Sequence, residues 1–489
     1  MSALVPKTCL TGKFFHQHCR DMALSEYPVI LWFRSDLRLH DHSGVAAALA
    51  TKRPVLPLYI WDQSTSARPL GAASRWWLHQ SLHALDEDLA RFGSRLIIAR
   101  GQSQLVLADL CKKTSVKTVI CSKTLEPVTE EFDRQLERDL AEIGVALERH
   151  LTGFLIAPGS IKTKDDKPYR VYTPFFKAAE AAGRLHVDSP PVLSTHEWPV
   201  PSCWPPTLPL EDLALTPQKT SSGKNWAEGF SIFKPGEAGA RGALRRFLAS
   251  GLADYEDGRD RPDKDLTSYL SPHLRFGEIS PRRILTELDK VVRSTPRLVA
   301  PAEKFRKELV WREFNYNILD LQPELHTRNF RDDFSTFPWQ SSDKDFRAWA
   351  RGETGYPLVD AGMKQLWQTG FMHNRVRMVC ASFLVKHLLI DWRRGEQWFW
   401  DCLLDADPAS NPGNWQWVAG CGADAAPYFR VFNPITQADK FDPDDIYRRK
   451  FDKPRGTVPY PRPIVDHAFA RERALDAYRS RGDGNDDSD

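Results

Sequence analysis

The chain has 489 residues, too many for one hydrophobic core and suited to two or three. It is 42% hydrophobic and 27% charged, with a formal net charge of only +3, so it can bury large cores but lacks the strong overall basicity that by itself marks a nucleic-acid binder. No apolar run approaches the length that crosses a bilayer, Met1 to Tyr27 lacks the apolar core of a secretion signal, and the eight cysteines (9, 19, 111, 121, 203, 380, 402 and 421) show no C-x-x-C spacing. Neither a zinc site nor a disulfide framework is indicated, an iron–sulfur cluster is disfavoured, and a cytoplasmic protein is expected.

From Val29 onward short apolar runs alternate with helical periodicity: VILWF (29–33), VLPLYI (55–60), RLIIA (95–99), KTVIC (117–121) and VALER (145–149). Amphipathic segments such as Ala72 to Phe92 and Thr129 to Ile143 separate them. This alternation predicts an α/β domain over 28–152, a doubly wound parallel sheet with helices on both faces. No G-x-G-x-x-G follows the first run; FRSDLRLHDH stands there, so the architecture is of nucleotide type without the dinucleotide fingerprint.

Residues 153–223 carry Pro190, Pro191, Pro199, Pro201, Pro205, Pro206, Pro209 and Pro217. That density argues against helix and central strand and predicts an extended connector wrapped over a surface. Residues 224–467 read as all-helical, with two clear helix starts at Ser271-Pro272 and Ser280-Pro281, each a hydroxyl N-cap followed by proline. From 468 a terminal helix remnant runs into SRGDGNDDSD, which has almost nothing to bury and is expected to be disordered.

The densest chemistry lies in GFMHNRVRMVCASFLVK (Gly370 to Lys386), in DW at Asp391 and Trp392, and in DADPASNPGNWQW (Asp405 to Trp417). On a helix Asn374, Arg377 and Met378 share one stripe, and Asn411 and Trp415 share another. KELVWREF (Lys307 to Phe314) likewise puts Glu308, Trp311 and Arg312 on one face. Amide, guanidinium, carboxylate and indole groups set into apolar helical registers predict a cleft for a buried polar ligand. TSYLSP places Thr267, Ser268, Leu270 and Ser271 at a helix N-terminus, which reads equally as an anion site or as a plain cap. The chain holds 16 tryptophans; Trp349, Trp367, Trp398 and Trp400 are expected to fill a helical core.

At these motifs the chain resembles the DNA photolyase/cryptochrome flavoprotein family, from about Pro28 to about His467. The resemblance implies blue-light-driven, FAD-dependent repair of cyclobutane pyrimidine dimers in UV-damaged DNA, most like a bacterial photolyase and with features of the plant-cryptochrome-related branch. It implies that T-S-x-L-S (Thr267, Ser268, Leu270, Ser271) holds the FAD diphosphate, that Tyr255 contacts the flavin nucleotide, and that Asp405, Asp407, Arg377 and Asn374 lie near the flavin. Asn411 takes the position facing flavin N5, where plant-type cryptochromes usually carry aspartate. A carboxamide there brings no acidic proton, which suits cycling through the anionic reduced cofactor.

The lesion pocket implied is Glu308, Trp311, Asn374, Met378 and Trp417, where indoles stack on a flipped base and Glu308 meets its carbonyl edge. Trp415, Trp392 and Trp339 match the tryptophan chain that relays electrons to the flavin, and Arg259, Arg312, Arg375 and Arg430 match DNA-contacting positions. Where family members with an antenna folate often carry asparagine and glutamate, this chain reads SKTLEP (Ser122 to Pro127), so a second chromophore, methenyltetrahydrofolate or a deazaflavin, is expected without named ligands. Residues 1 to about 27 have no counterpart in the family pattern, which makes Met22 the expected natural start. A monomer acting at the nucleoid, with no membrane partner, completes the expectation. The rivals are a signalling cryptochrome, opposed by Met378 and Trp417; a (6-4) photolyase, opposed by Asn374 where that group has histidine; and an ordinary nucleotide-binding enzyme with a helical cap, which a flavin colour would exclude.

Overall fold

A computed structural model describes residues 27–64, 68–186, 198–217, 225–425, 429–452 and 459–482. The expectations about Met22 and about the acidic tail beyond Gly482 fall outside the described residues.

Five parallel strands, β1 (Val29–Phe33), β2 (Val55–Trp61), β3 (Ile97–Arg100), β4 (Thr118–Ser122) and β5 (Ala146–His150), form one sheet in the order β3-β2-β1-β4-β5. β1 and β2 are buried along their whole length, which is why they read as unbroken apolar runs. Alternate residues of β1 feed two cores: Val29, Leu31 and Phe33 pack on one side, Ile30 and Trp32 on the other. Helices α1 (Ser43–Ala50), α2 (Ala72–Ala90), α3 (Ser103–Thr114) and α4 (Pro127–Glu142) cover the two faces. The doubly wound expectation is met.

The charged run after β1 braces the sheet half internally and, through Arg38, ties it to the helical half. Arg34 donates to Asp133 at 2.7 and 3.0 Å, His42 and Asp36 pair at 2.7 Å, and Arg38 donates to the carbonyls of Thr152 and Gly277 at 2.7 and 2.8 Å. Charges paired with carboxylates and carbonyls stand where a phosphate-binding turn would otherwise be.

The connector departs from the expectation in one respect. Helix α5 (Tyr172–Ala181) forms within it, because the proline cluster begins only at Pro190 and leaves the preceding stretch free to bury Tyr172, Phe175 and Phe176. Farther on the connector does wrap the sheet half: Val55 N–H donates to Pro199 carbonyl at 2.9 Å and Leu208 N–H to Ile98 carbonyl at 2.9 Å.

The remainder is helical: α6 (Glu237–Arg246), the single turn Tyr255–Gly258, α7 (Ser271–Arg275), α8 (Pro281–Ser294), α9 (Val299–Leu321), α10 (Asp343–Arg351), α11 (Pro357–Thr369), α12 (Asn374–Ser382), α13 (Trp392–Cys402), α14 (Ser410–Ala419), α15 (Pro434–Phe441), α16 (Ile446–Phe451) and α17 (His467–Arg479). Ser280 caps α8 by accepting from Arg283 N–H at 2.9 Å. Ser271 is a helical residue of α7 rather than its cap, and its hydroxyl is used elsewhere. Trp349, Trp398 and Trp400 join the helical core; Trp367, expected there too, is 49% exposed, resting on Trp398 at a ring separation of 5.9 Å. Among the described residues no helix is long and apolar enough to cross a membrane.

Candidate functional site

Helices α7, α9, α12 and α14 and the loop before α14 surround a cavity of about 580 Å³. Each element presents the stripe its sequence predicts. α9 contributes Glu308, Trp311 and Arg312; α12 contributes Asn374, Arg375, Arg377 and Met378; α14 contributes Asn411, Trp415 and Trp417. Ser271, Asp405, Asp407 and Arg259 complete the predicted set found there.

Toward α7, Asp405 Oδ2 accepts from Ser271 Oγ at 2.6 Å and from Arg377 Nη2 at 2.8 Å, and Arg377 Nε is anchored on Met372 carbonyl at 2.7 Å. The other oxygen, Asp405 Oδ1, is buried with no partner among the described residues. An orphaned carboxylate oxygen at a cavity wall calls for a donor from a ligand. Tyr269 adopts a left-handed φ of 55°, a conformation uncommon outside glycine that turns the chain sharply into α7.

Asn411 is held from behind. Its Nδ2 donates to Glu396 Oε1 at 2.7 Å and to the Glu396 carbonyl at 3.1 Å. With Glu396 ionised both partners only accept, so the amide nitrogen faces them and Oδ1 turns to the cavity. Burial pushes the Glu396 carboxyl above its ordinary range, opposed but not outweighed by the Arg68 charge and by the hydrogen bonds from Arg68 and Asn411.

On the α9 side Trp311 stacks on Tyr172 at 3.7 Å and 6°, which fixes one ring face and leaves the other to the cavity. Glu308 pairs with Arg259; burial raises its carboxyl and the Arg259 charge opposes that. Trp417 donates to Asp424 carbonyl at 3.1 Å. Trp415 is 2% exposed, packs edge-on to Phe399 at 4.9 Å, and touches α13 where Gly395 leaves room: a Cβ there would lie 2.2 Å from its ring. Trp392 stands one turn away on the same helix, with Nε1 donating to Asn329 at 2.9 Å. Neither Trp392 nor Trp339 lines the cavity; both pack with the core cluster that holds Trp415, Trp339 against Phe337 at 4.3 Å.

Several predicted residues are placed differently from the expectation. Tyr255 is buried in an apolar cluster against Phe247 and Phe305, and Leu270 lies in the same cluster; neither lines the cavity. Thr267 and Ser268 also lie outside its walls, the Thr267 carbonyl accepting from Arg246 at 2.8 Å. Asp407 reaches the cavity, but its oxygens are taken by the N–H groups of Ala409 and Ser410 at 3.0 and 2.7 Å and by the Tyr316 hydroxyl at 3.0 Å. It serves the start of α14 as a cap. Arg312 is tied to Gly153 carbonyl at 3.0 Å and lies 4.0 Å over the Phe154 ring, a contact between connector and helix. Arg375 pairs with Asp260 at 2.5 Å, and Arg430 lines a separate small cavity. Asp260, Asn315 and Glu396 were missed; Asn315 and Glu396 are polar groups at otherwise buried helical positions, a signal present in the sequence.

A second cavity, about 160 Å³, lies beside the C-terminal ends of the strands, lined by Trp32, Arg34, Tyr59, Thr124, Glu126 and Arg275 among others. Thr124 and Glu126 belong to SKTLEP.

Two family models match the chain: "DNA photolyase" over residues 29–197 and "FAD binding domain of DNA photolyase" over 305–454. A protein of Agrobacterium fabrum named deoxyribodipyrimidine photo-lyase is 46% identical, the match covering 94% of this chain and 98% of that one; one of the same name from Vibrio cholerae is 34% identical, covering 92% and 99%. Among solved structures, a bacterial class III photolyase from Agrobacterium tumefaciens superposes with a TM-score of 0.88 at 45% identity, covering 95% of this chain and 99% of the other. A Synechocystis cryptochrome gives 0.81 at 28%, covering 92% and 99%.

Proposed function

The chain belongs to the DNA photolyase/cryptochrome family, and on that premise we propose that it is a blue-light-driven, FAD-dependent lyase that splits cyclobutane pyrimidine dimers in UV-damaged DNA. One observation carries the reading: the cofactor-type set (Ser271, Arg377, Asp405, Asn411, Trp415) and the lesion-type set (Glu308, Trp311, Met378, Trp417) line a single continuous cavity. Two ligands bound there would lie side by side, the arrangement that short-range electron transfer requires.

The donor-seeking Asp405 Oδ1 and the polar walls fit FAD, which when bound supplies the light absorption and the electron for dimer opening. The chain supplies the rest. Ser271 and the N–H groups opening α7 would hold the diphosphate, and Asp405, fixed by Ser271 and Arg377, would take a cofactor N–H or O–H. Asn411 would present an acceptor and no acidic proton. Trp311 and Trp417 would stack on the flipped dimer and keep water out, while Glu308 meets its carbonyl edge. Trp415 would be the first of the relay residues, with Trp392 and Trp339 behind it. Arg259 and Arg375 at the cavity, and Arg430 at the small cavity beside it, would neutralise phosphates, a role for which Arg259 and Arg375 must exchange the carboxylates they now hold.

We assign residues 224–467 to FAD and lesion binding, 28–152 to the sheet half, where a folate or deazaflavin antenna would reside, and 153–223 to the link between them. The protein would work as a monomer at the nucleoid. The test is a yellow or blue preparation that removes dimers from DNA under blue light and not in the dark; a colourless protein without such activity defeats the reading.

A further inference from the structure

The contacts that hold Asn411 begin in the other half of the molecule. Arg68, between β2 and α2, lies over the Trp400 ring with its guanidinium carbon 3.8 Å from the centroid, and Trp400 Nε1 donates to Pro69 carbonyl at 2.9 Å. Gly71 approaches α13 so closely that a Cβ would fall 2.0 Å from the Trp400 carbonyl oxygen. Ala72 N–H donates to Asp401 at 2.8 Å and the Ser74 hydroxyl to Leu403 carbonyl at 3.1 Å. The entry to α2 is thus clamped on the last turns of α13. From that clamp Arg68 Nη1 reaches both oxygens of Glu396, at 2.8 and 3.0 Å.

Glu396 is 2% exposed, and burial alone drives such a carboxyl toward its neutral form. Arg68 is the charged group that opposes this. The ionised carboxylate can only accept, and it accepts from Asn411; rotated by half a turn, Asn411 Oδ1 would face two oxygens at hydrogen-bonding distance. The direction of the carboxamide is therefore set jointly by the Glu396 backbone carbonyl and by the ionised carboxylate, the nearer of the two.

We propose that Arg68 is a positioning residue of the light-driven reaction: from the sheet half it keeps Glu396 ionised, and ionised Glu396 keeps the Asn411 carbonyl, not its N–H, turned toward the cofactor. This rests on the reading that Asn411 faces the flavin. Without the cation, Glu396 takes a proton from solvent, its O–H becomes a donor, and the carboxamide turns over to accept it, giving up its longer bond to the Glu396 carbonyl and presenting N–H to the cavity. Seating of the sheet half on the helical half thereby sets the hydrogen-bond character of the flavin site.

The test uses the full-length protein with Arg68→Gln, with Arg68→Lys as the charge-keeping control and Glu396→Gln to assign the signal. Infrared spectra with and without bound FAD report the protonated-carboxyl C=O stretch, and spectroelectrochemistry reports the flavin midpoint potential. Removing a neighbouring cation changes the protonated-to-ionised ratio of a carboxyl by ~10- to 1000-fold. Arg68→Gln should therefore show a protonated-carboxyl band at neutral pH that is absent from the parent and from Arg68→Lys, and that the added Glu396→Gln change removes. The potential should move in Arg68→Gln and return in Arg68→Lys. An Arg68→Gln protein whose Glu396 stays ionised overturns the proposal, and so does a new band with an unmoved potential. Should Arg68→Gln not fold, Glu396→Gln alone must move the potential, since its amide can donate to Asn411; no movement overturns the proposal. Failure of the functional reading would look different: parent protein that splits no dimers in blue light, whatever the infrared band does.

Discussion

Asn411→Asp puts a second carboxyl 2.7 Å from Glu396 Oε1 and 3.1 Å from the Glu396 carbonyl, at a half-buried position where Arg68 already serves one charge. The variant loses two N–H donors and gains a repulsion that only a shared proton relieves, so the two carboxyls would titrate as a unit with one proton held between them. A hydrogen bond to a charged group contributes ~1.5–3 kcal/mol, and the shared proton restores one of the two lost, so the net loss of folding stability is roughly 2 kcal/mol. Denaturant unfolding of the FAD-loaded variant beside the parent measures that loss. Illumination measures the second consequence: an acidic proton next to N5 should let a yellow-to-red absorbing form accumulate in blue light and should depress repair. A variant with the parent's stability, light-driven spectrum and repair yield would refute both the grip of Glu396 on the amide and the importance of lacking an acid there.

Three further outcomes are expected. Trp415→Phe should block photoreduction of oxidised flavin while repair by chemically reduced enzyme survives, and normal photoreduction would remove Trp415 from the primary route. Glu308→Ala should lower repair per photon roughly tenfold, the scale of ~1–3 kcal/mol for an unpaired buried polar group, with flavin retained; loss of flavin or of fold would make Glu308 structural instead. The buried His373 is pushed down from 6.5 to about 4 by burial, and it caps α12 through its acceptor nitrogen. Its folded value lies below its unfolded one, so its contribution is complete above pH 6.5 and is lost as pH falls toward 4, by ~3 kcal/mol at 1.36 kcal/mol per unit. His373→Asn, which can still cap, should flatten that acid limb of the stability curve; an unchanged limb would refute the assignment.

Much of the fold was legible because burial on both faces leaves a plain mark. VILWF and VLPLYI could only be central strands, and Ser280-Pro281 opens α8 as written. α5 is hidden in the sequence because the prolines farther along dominate the composition of the connector. In the site, the stripes of α9, α12 and α14 were readable from helical spacing, and all converge on the cavity. What spacing cannot show is which oxygen a side chain spends, and on what. Asp407 looks like a second ligand in DADPAS but caps the helix that follows it, and Arg312 looks like a cation at the mouth but holds the connector at Gly153. Arg68 and Glu396 are separated by 328 residues, and their pairing exists only once the sheet half docks on α13.

The account stands most directly on blue-light repair of a duplex oligonucleotide holding one defined cyclobutane thymine dimer, run beside the same oligonucleotide with a (6-4) photoproduct and beside dark controls. With FAD bound and reduced, the dimer should revert to two thymines under blue light, remain in the dark, and the (6-4) lesion should persist in both. A dimer that survives illumination by the reduced, flavin-loaded protein, or a (6-4) lesion repaired in its place, would contradict the assignment of Glu308, Trp311, Met378 and Trp417 as a dimer pocket.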